Sequence, residues 1–439
     1  MASDAGADSR GRRALRADLL DFVAEPGWGD ISQAAVRFRP DHWLLVEDGR
    51  IAGALGPDQA PDAGWQRIDH RGRLLLPGFI DTHVHSPQLD VIASHGTELL
   101  DWLENYTFPA EMRYADHGEA QAGAERFVAA LLAHGTTSAV VFPTVHKHSA
   151  DLLFEVALGR GMRLFTGKVL MDRLAPPALR DDVDQAERDC LELVERWHGR
   201  GRLAYAVTVR FAASSSTAQL AMAGRLVAQV PGVFMQTHVA ENRDEVALVR
   251  RMFPQARSYL DVYARAGLLG PRSVLAHGIW IDDEDRALLR DSGAQIAHSP
   301  SSNLFLGSGL FDWPAAQAAG VAVSIASDVG GGTSLSMIRT MADAYRVQAL
   351  AGNRLSAWTA LHAVTRGSAR ALGLDAEMGS LEAGRMADVC VWDWACGPVA
   401  ERRMALADDL HERIFAWMML ADERNLVEAY VAGVARHRR

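Results

Sequence analysis

The stretch Leu74-Leu75-Leu76-Pro77-Gly78-Phe79-Ile80-Asp81-Thr82-His83-Val84-His85 decides the reading of this 439-residue chain. An apolar run, interrupted by Pro-Gly, ends in polar residues, as a buried strand does where it leaves a core. Residues two apart on a strand share a face. His83 and His85 at the carboxyl end of such a strand converge on one point, where two imidazoles can share a metal ion. A lone His-x-His also arises on solvated faces, so its meaning depends on what lies downstream.

Seven more apolar strand candidates follow, at 138–142, 163–170, 203–211, 233–238, 273–277, 295–299 and 321–327. Amphipathic helical patterns separate them, among them 186–197, 218–229, 243–251 and 283–291. With 74–80 that makes eight strands alternating with helices. The pattern predicts an α/β fold, a parallel (β/α)8 TIM-like barrel inside a ring of helices. A doubly wound open sheet is the alternative, but no Gly-rich phosphate loop follows the first strand. The flanks read differently. Short β-like pieces at 15–20, 43–46 and 50–53 precede the barrel, and pieces at 387–392 and 427–434 follow it. The expectation is a barrel over 74–387, a small β-sandwich domain formed by both chain ends (14–73 with 388–439), and a disordered tail over 1–13.

Composition bounds the function. Hydrophobic residues make up 49% and charged residues 23%, the balance of a soluble globular protein. The formal net charge of -10, from 45 basic and 55 acidic residues, argues against nucleic acid or an anionic membrane as partner. No apolar run is long enough to span a bilayer. The first thirteen residues hold no apolar core of a secretory leader, although Arg10, Arg12 and Arg13 mimic a transit peptide. Cys190, Cys390 and Cys396 form no cluster and no CxxC, which reads as reduced thiols in a cytoplasmic protein.

Barrel enzymes carry their functional groups at the carboxyl ends of the strands. Here the fifth strand candidate runs into His238-Val239-Ala240-Glu241-Asn242 and the sixth into His277-Gly278. The seventh runs into His298, and the eighth into Ser327-Asp328-Val329-Gly330-Gly331-Gly332. His83, His85, His238 and Asp328 suit one Zn2+, or Fe2+, per chain, with a position left for water. Any one of these histidines alone reads as a core or loop residue; their shared placement at strand ends favours metal. Glu241 faces the same mouth and can move protons between water and a ring nitrogen. The plainer reading of Glu241, an acid at a helix N-terminus, holds alongside it. His277 reads as a hydrogen-bond donor to a tetrahedral oxygen. His298 is expected to make a structural hydrogen bond, and His95, His117, His134, His146 and His148 to be solvated or structural.

With these motifs the chain resembles the amidohydrolase superfamily, and the His-x-x-Glu step resembles its mononuclear deaminase branch. Binuclear members use a carbamylated lysine, for which Lys168 is the candidate here, but a binuclear site leaves Glu241 without a role. Within the branch the chain resembles the guanine deaminases, from about Ala14 onward. The resemblance rests on residues 77–85 with Gln88, on Asp101-Trp102-Leu103-Glu104-Asn105-Tyr106-Thr107-Phe108-Pro109, and on Gly167-Lys168-Val169 with Met171-Asp172. It continues through Arg210-Phe211, residues 238–242, Asn303-Leu304-Phe305-Leu306-Gly307-Ser308-Gly309 and residues 327–333.

The resemblance implies guanine as substrate and a homodimer. It implies purine contacts from Gln88, Arg210, Phe211, His238, Glu241 and Asp328, and catalysis by Glu241, His277 and Asp328. The chemistry agrees. Arg pairs with the O6 and N7 acceptors of guanine, Phe stacks on the ring, and Gln both donates and accepts at a base edge. The plainer readings are a rim ion pair for Arg210 and core packing for Phe211 and Trp102. Val209 stands where the family commonly has proline, which predicts a less rigid strand end. The rival substrates are 8-oxoguanine, a triazine or a related heterocycle. A non-catalytic scaffold is a remoter reading, because such a chain should have lost its ligands. Zinc deaminases of nucleic acid use His-x-Glu with Pro-Cys-x-x-Cys, which is absent.

Overall fold

The computed structural model describes residues 11–95 and 99–439, so the expected tail lies almost wholly outside the described residues. The chain opens with four strands: β1 (Arg13–Phe22), β2 (Val36–Glu47), β3 (Arg50–Leu55) and β4 (Gln66–Pro77). Asp48 and Gly49, with φ of 50° and 78°, close the β2–β3 hairpin in the left-handed conformation that suits such turns. The expected strand 74–80 is two strands. β4 carries Leu74, Leu75, Leu76 and Pro77 beside β1, and β5 (Phe79–His85) starts the barrel. Gly78 marks the break because a Cβ there would meet Thr137 Oγ1 at 2.2 Å.

The barrel continues through β6 (Thr136–Phe142), β7 (Arg163–Thr166), β8 (Val169–Leu170), β9 (Leu203–Val209), β10 (Phe234–Val239), β11 (Ser273–His277), β12 (Gln295–His298) and β13 (Val323–Ile325). Every ladder among them is parallel. The seam between β13 and β5 closes through single bonds. Asp328 N–H donates to His83 O at 2.9 Å, His85 N–H to Val329 O at 2.9 Å, and Ser327 N–H to Asp81 Oδ1 at 3.0 Å. The four helical patterns appear as Val183–Trp197, Thr217–Gln229, Arg243–Met252 and Asp283–Ser292.

The barrel interior is layered. Its floor is apolar: Ile80, Val140, Phe165, Phe234, Val274 and Ala297 meet there, with Phe165 edge-on to Phe234 at 4.6 Å. A polar tier lies above. Gln236 Nε2 donates to Val141 O and Thr208 Oγ1, and the hydroxyls of Thr82 and Ser324 lie 2.8 Å apart. A bulge then re-aims β5. Asp81 pairs with Ala139 and Val84 with Val141, three steps on one strand against two on the other. Strict alternation from Ile80 would turn His83 and His85 outward. The bulge sends Val84 outward into the helix-packed core instead and brings both histidines inside.

After the barrel come β14 (Val389–Trp392), β15 (Leu426–Val431) and β16 (Val434–Arg438). They join the first four strands in one sheet of order β16-β15-β14-β4-β1-β2-β3. The β3 end folds back, with Ile51 N–H donating to Arg385 O and Ala387 N–H to Gly49 O. The folded sheet encloses its own core of Leu15, Leu44, Ile51, Leu75, Val389 and Tyr430. The expected strand at 427–434 is a hairpin, turned by Ala432 and Gly433 at φ of 47° and 73°. Two helices not anticipated in this region, Pro398–Ala405 and Leu410–Leu420, separate β14 from β15. Ile414, Trp417 and Met418 form an i, i+3, i+4 stripe that packs into the barrel's outer core.

Candidate active site

The first, fifth, sixth and eighth strand ends that the sequence marked deliver their residues to one site at the carboxyl end of the barrel. His83 and His85 come from β5, His238 from β10, His277 from β11, and Asp328 from the turn after β13. Three backbones there are left-handed: Ala240 (φ 46°), His277 (73°) and Asp328 (49°). Non-glycine residues avoid this region, and strain of this kind gathers at functional sites. The glycine run after Asp328 is required by space. A Cβ on Gly330 would meet Gln88 O at 2.6 Å, and one on Gly332 would meet Ser327 O at 1.8 Å.

The four expected metal ligands converge. His85 Nε2 lies 3.2 Å from both His83 Nε2 and His238 Nε2, and Asp328 Oδ1 lies 3.1 and 3.3 Å from the nitrogens of His83 and His85. Tetrahedral ligands at zinc bond lengths stand about 3.4 Å apart, close to these spacings. His238 Nδ1–H donates to Arg210 O at 2.6 Å, so the lone pair of its Nε2 points into the cluster. Burial lowers the His85 pKa to about 3, and burial with three neighbouring imidazoles lowers His238 further below its ordinary value. Both rings are therefore neutral and able to ligate. Burial alone raises a carboxyl, but the imidazoles around Asp328 outweigh it and hold that group well below the usual range. Lone pairs crowded around one carboxylate are the donor set of a divalent cation. Lys168 takes no part, since its ammonium is paired with the buried Asp181 carboxylate.

Glu241 lines the same cavity, buried at 3% exposure. Ser308 Oγ donates to its Oε1 at 2.9 Å, while Oε2 lies 3.3 Å from His277 Nε2. Burial, reinforced by Asp328, pushes the Glu241 carboxyl up to about 8. Behind it, burial and Glu241 raise Glu245 to about 7; Glu245 accepts from Tyr259 Oη and from the Glu241 backbone N–H. His277 Nδ1 sits 2.9 Å from Asn303 Oδ1, which fixes Nε2 as the nitrogen facing the cavity. Asp328 divides its oxygens: Oδ1 faces the metal ligands and Oδ2 lies 3.7 Å from His277 Nε2.

The opposite wall holds Gln88, Arg210 and Phe211, with Leu99, Trp102 and Leu103 beside them. Val209, in place of the family's proline, leaves no loose end. It pairs with Leu170, and the next N–H, of Arg210, donates to Leu170 O at 3.1 Å. Four contributors carried no sequence signal strong enough to single them out: Glu111, Asn303, Ser308 and Asp81. Glu111 sits two residues past the motif ending in Phe108-Pro109 and ion-pairs with Arg210. Asn303 and Ser308 lie in a motif quoted for its resemblance alone. One expectation fails. His298 is buried with neither ring nitrogen hydrogen-bonded, packed instead at 4.9 Å from the ring of Phe311.

Comparison with known proteins gives the class. Residues 74–435 match the model of the amidohydrolase family, and the chain belongs to that family. Its relatives narrow the comparison. The chain is 40% identical over 425 residues to a guanine deaminase of Escherichia coli, covering 96% of this chain and 97% of that one. It is 43% identical over 335 residues to a probable guanine deaminase of Deinococcus radiodurans, covering 76% of each. Among solved structures, the E. coli guanine deaminase superposes with a TM-score of 0.93 at 39% identity, over 97% of this chain and all of that one. The guanine deaminase from C. acetobutylicum with guanine bound in its active site gives 0.87 at 27% identity over 97% of this chain and all of that one.

Proposed function

We propose that this chain hydrolyses guanine at C2, giving xanthine and ammonia. The observation that carries the reading is the meeting, in one cavity, of the four-ligand cluster with Glu241 and with Arg210, Gln88 and Phe211. The likeness to the guanine deaminases of E. coli and C. acetobutylicum supports the substrate.

His83, His85, His238 and Asp328 would hold one Zn2+, with Fe2+ as the alternative. When bound, the ion lowers the pKa of a coordinated water and so provides a nucleophile near neutral pH. Arg210 and Gln88 bind the edge of the purine that carries O6, and Phe211 covers the ring face and excludes water. Glu241, protonated below about pH 8, delivers its proton to ring N3, which makes C2 electrophilic. Asp328 Oδ2 takes a proton from the attacking water. His277 Nε2 faces the oxygen that develops charge on C2 and stabilises it. The 2-amino group leaves as ammonia after protonation, and the balance is guanine plus water to xanthine plus ammonia.

Among the described residues, no helix is long and apolar enough to cross a membrane. A cytoplasmic homodimer is the setting that the family resemblance and the cysteine pattern support. The division into a barrel and a β domain built from both chain ends belongs to the same reading, with residues 74–77 on the β-domain side and the helix Leu410–Leu420 on the barrel side. The test is chromatography of products from purified protein and free guanine. Xanthine and ammonia in equal amounts are expected; no xanthine from metal-loaded protein would refute the assignment.

A further inference from the structure

Glu111 is the least expected group near the cavity. It is a carboxylate with 0% exposure on the short helix Phe108–Arg113. Both its oxygens accept from Arg210 Nη1, at 2.8 and 2.7 Å, and Arg210 is itself 3% exposed. Phe108, from the same helix, lies 5.4 Å beneath the guanidinium. Gln88 Nε2 donates to Glu111 Oε1 at 3.4 Å, and Gln88 Oε1 accepts from Gly330 N–H at 3.1 Å. A backbone N–H only donates and a carboxylate only accepts, so both ends of the Gln88 amide are set from outside.

We propose that Glu111 is a positioning residue that locks Arg210 and Gln88 into one hydrogen-bond-donating edge, and that this edge selects a 6-oxo purine over a 6-amino purine. The proposal rests on the guanine reading above. Glu111 ties together two side chains from different elements, and both line the cavity. A buried ion pair is a poor source of stability compared with apolar packing, so fold stability alone is a weak reason for it. Its acceptors are turned toward Arg210 and Gln88, which leaves N–H groups to face the substrate. A carbonyl oxygen at C6 accepts from such an edge. An amino group at C6 would set N–H against N–H and leave buried donors unpaired, which is an effective basis for rejection.

The experiment compares guanine with 2,6-diaminopurine, which keeps the 2-amino leaving group, replaces the oxygen at C6 by an amino group and with it loses the N1 proton. Metal-loaded wild type, Glu111→Gln and Glu111→Asp are each assayed for ammonia and for the purine product. Glu111→Asp keeps the buried charge paired but withdraws the carboxylate by a methylene, so it serves even where Glu111→Gln fails to fold. In wild type, kcat/KM for guanine should exceed that for 2,6-diaminopurine by about 100-fold or more. In Glu111→Asp the guanine KM should rise about tenfold with a smaller change in kcat, and the preference between the two purines should narrow by about as much. Metal content should stay at the wild-type level. A folded, metal-loaded Glu111→Asp with an unchanged preference overturns this proposal alone, whether activity is normal or falls equally on both purines. A wild-type enzyme that leaves guanine intact overturns the function, and this proposal with it.

Discussion

The two ends of the barrel are made from the same strands and differ in almost everything else. At the floor, Ile80, Val140, Phe165, Phe234 and Val274 interdigitate without a polar atom among their side chains. At the mouth, β5, β10 and β11 end in imidazoles, and carboxylates follow β10 and β13. There Ala240, His277 and Asp328 adopt left-handed backbones, and buried groups titrate far from their usual values. The floor bears the cost of the mouth. Strained backbones and buried carboxyls persist only where the surrounding structure over-determines them. Substitutions at the two ends should therefore fail in opposite ways: mouth variants should keep the fold and lose chemistry, and floor variants should keep the chemistry and lose stability.

The largest effect is expected from His83→Ala with His85→Ala. Metal analysis should show loss of the bound ion, and guanine turnover should fall by about 10⁴-fold or more, with the far-UV spectrum intact. Next is Glu241→Gln, which should hold its metal and lose about 10²- to 10⁴-fold in kcat. Near-normal turnover in that variant would remove Glu241 from proton delivery. From the floor, Phe165→Ala should cost about 3–5 kcal/mol in denaturant unfolding. Its kcat per metal-loaded folded molecule should be unchanged, and a large loss of kcat there would erase the contrast between the ends.

pH supplies a subtler comparison. Glu241 donates only while protonated, so kcat should hold below about pH 8 and decline above it, about tenfold per unit. The same shift bears on stability. The folded state keeps a proton that the unfolded chain releases above the ordinary value of 4.5, so stability is lost as pH rises from there to about 8. Glu241→Gln should flatten that slope in thermal unfolding. The smallest effect is expected from Ser308→Ala. It removes one donor to Glu241 Oε1, which should raise the Glu241 pKa further and move the alkaline limb to higher pH with a modest change in kcat.

Much of this was legible in the chain because it is local. Apolar strands alternating with amphipathic helices specified a barrel, and the motifs that end the first, fifth, sixth and eighth strands placed their residues at the mouth, whereas His298 of the seventh packs against Phe311. The remainder depends on contacts between distant segments. Glu111 stands 99 residues from Arg210, and a buried glutamate in a helix looks like any other until the fold brings them together. The bulge at Asp81 to Val84 is invisible to a period-two reading, although it turns His83 and His85 inward. Asp81, pushed up to about 6 by burial, pins the seam to Ser327 from 246 residues away. The helix Leu410–Leu420 was missed because its apolar stripe lies between pieces that read as strands.

The proposed chemistry needs one ion, held by His83, His85, His238 and Asp328, and is completed by Glu241. The most direct measurement adds Zn2+ in steps to chelator-stripped protein and reads guanine turnover and bound metal on the same samples. Turnover that rises in proportion to metal and levels off at one ion per chain is the predicted result. Full turnover in stripped protein, or a rise that levels off only at two ions per chain, would contradict it.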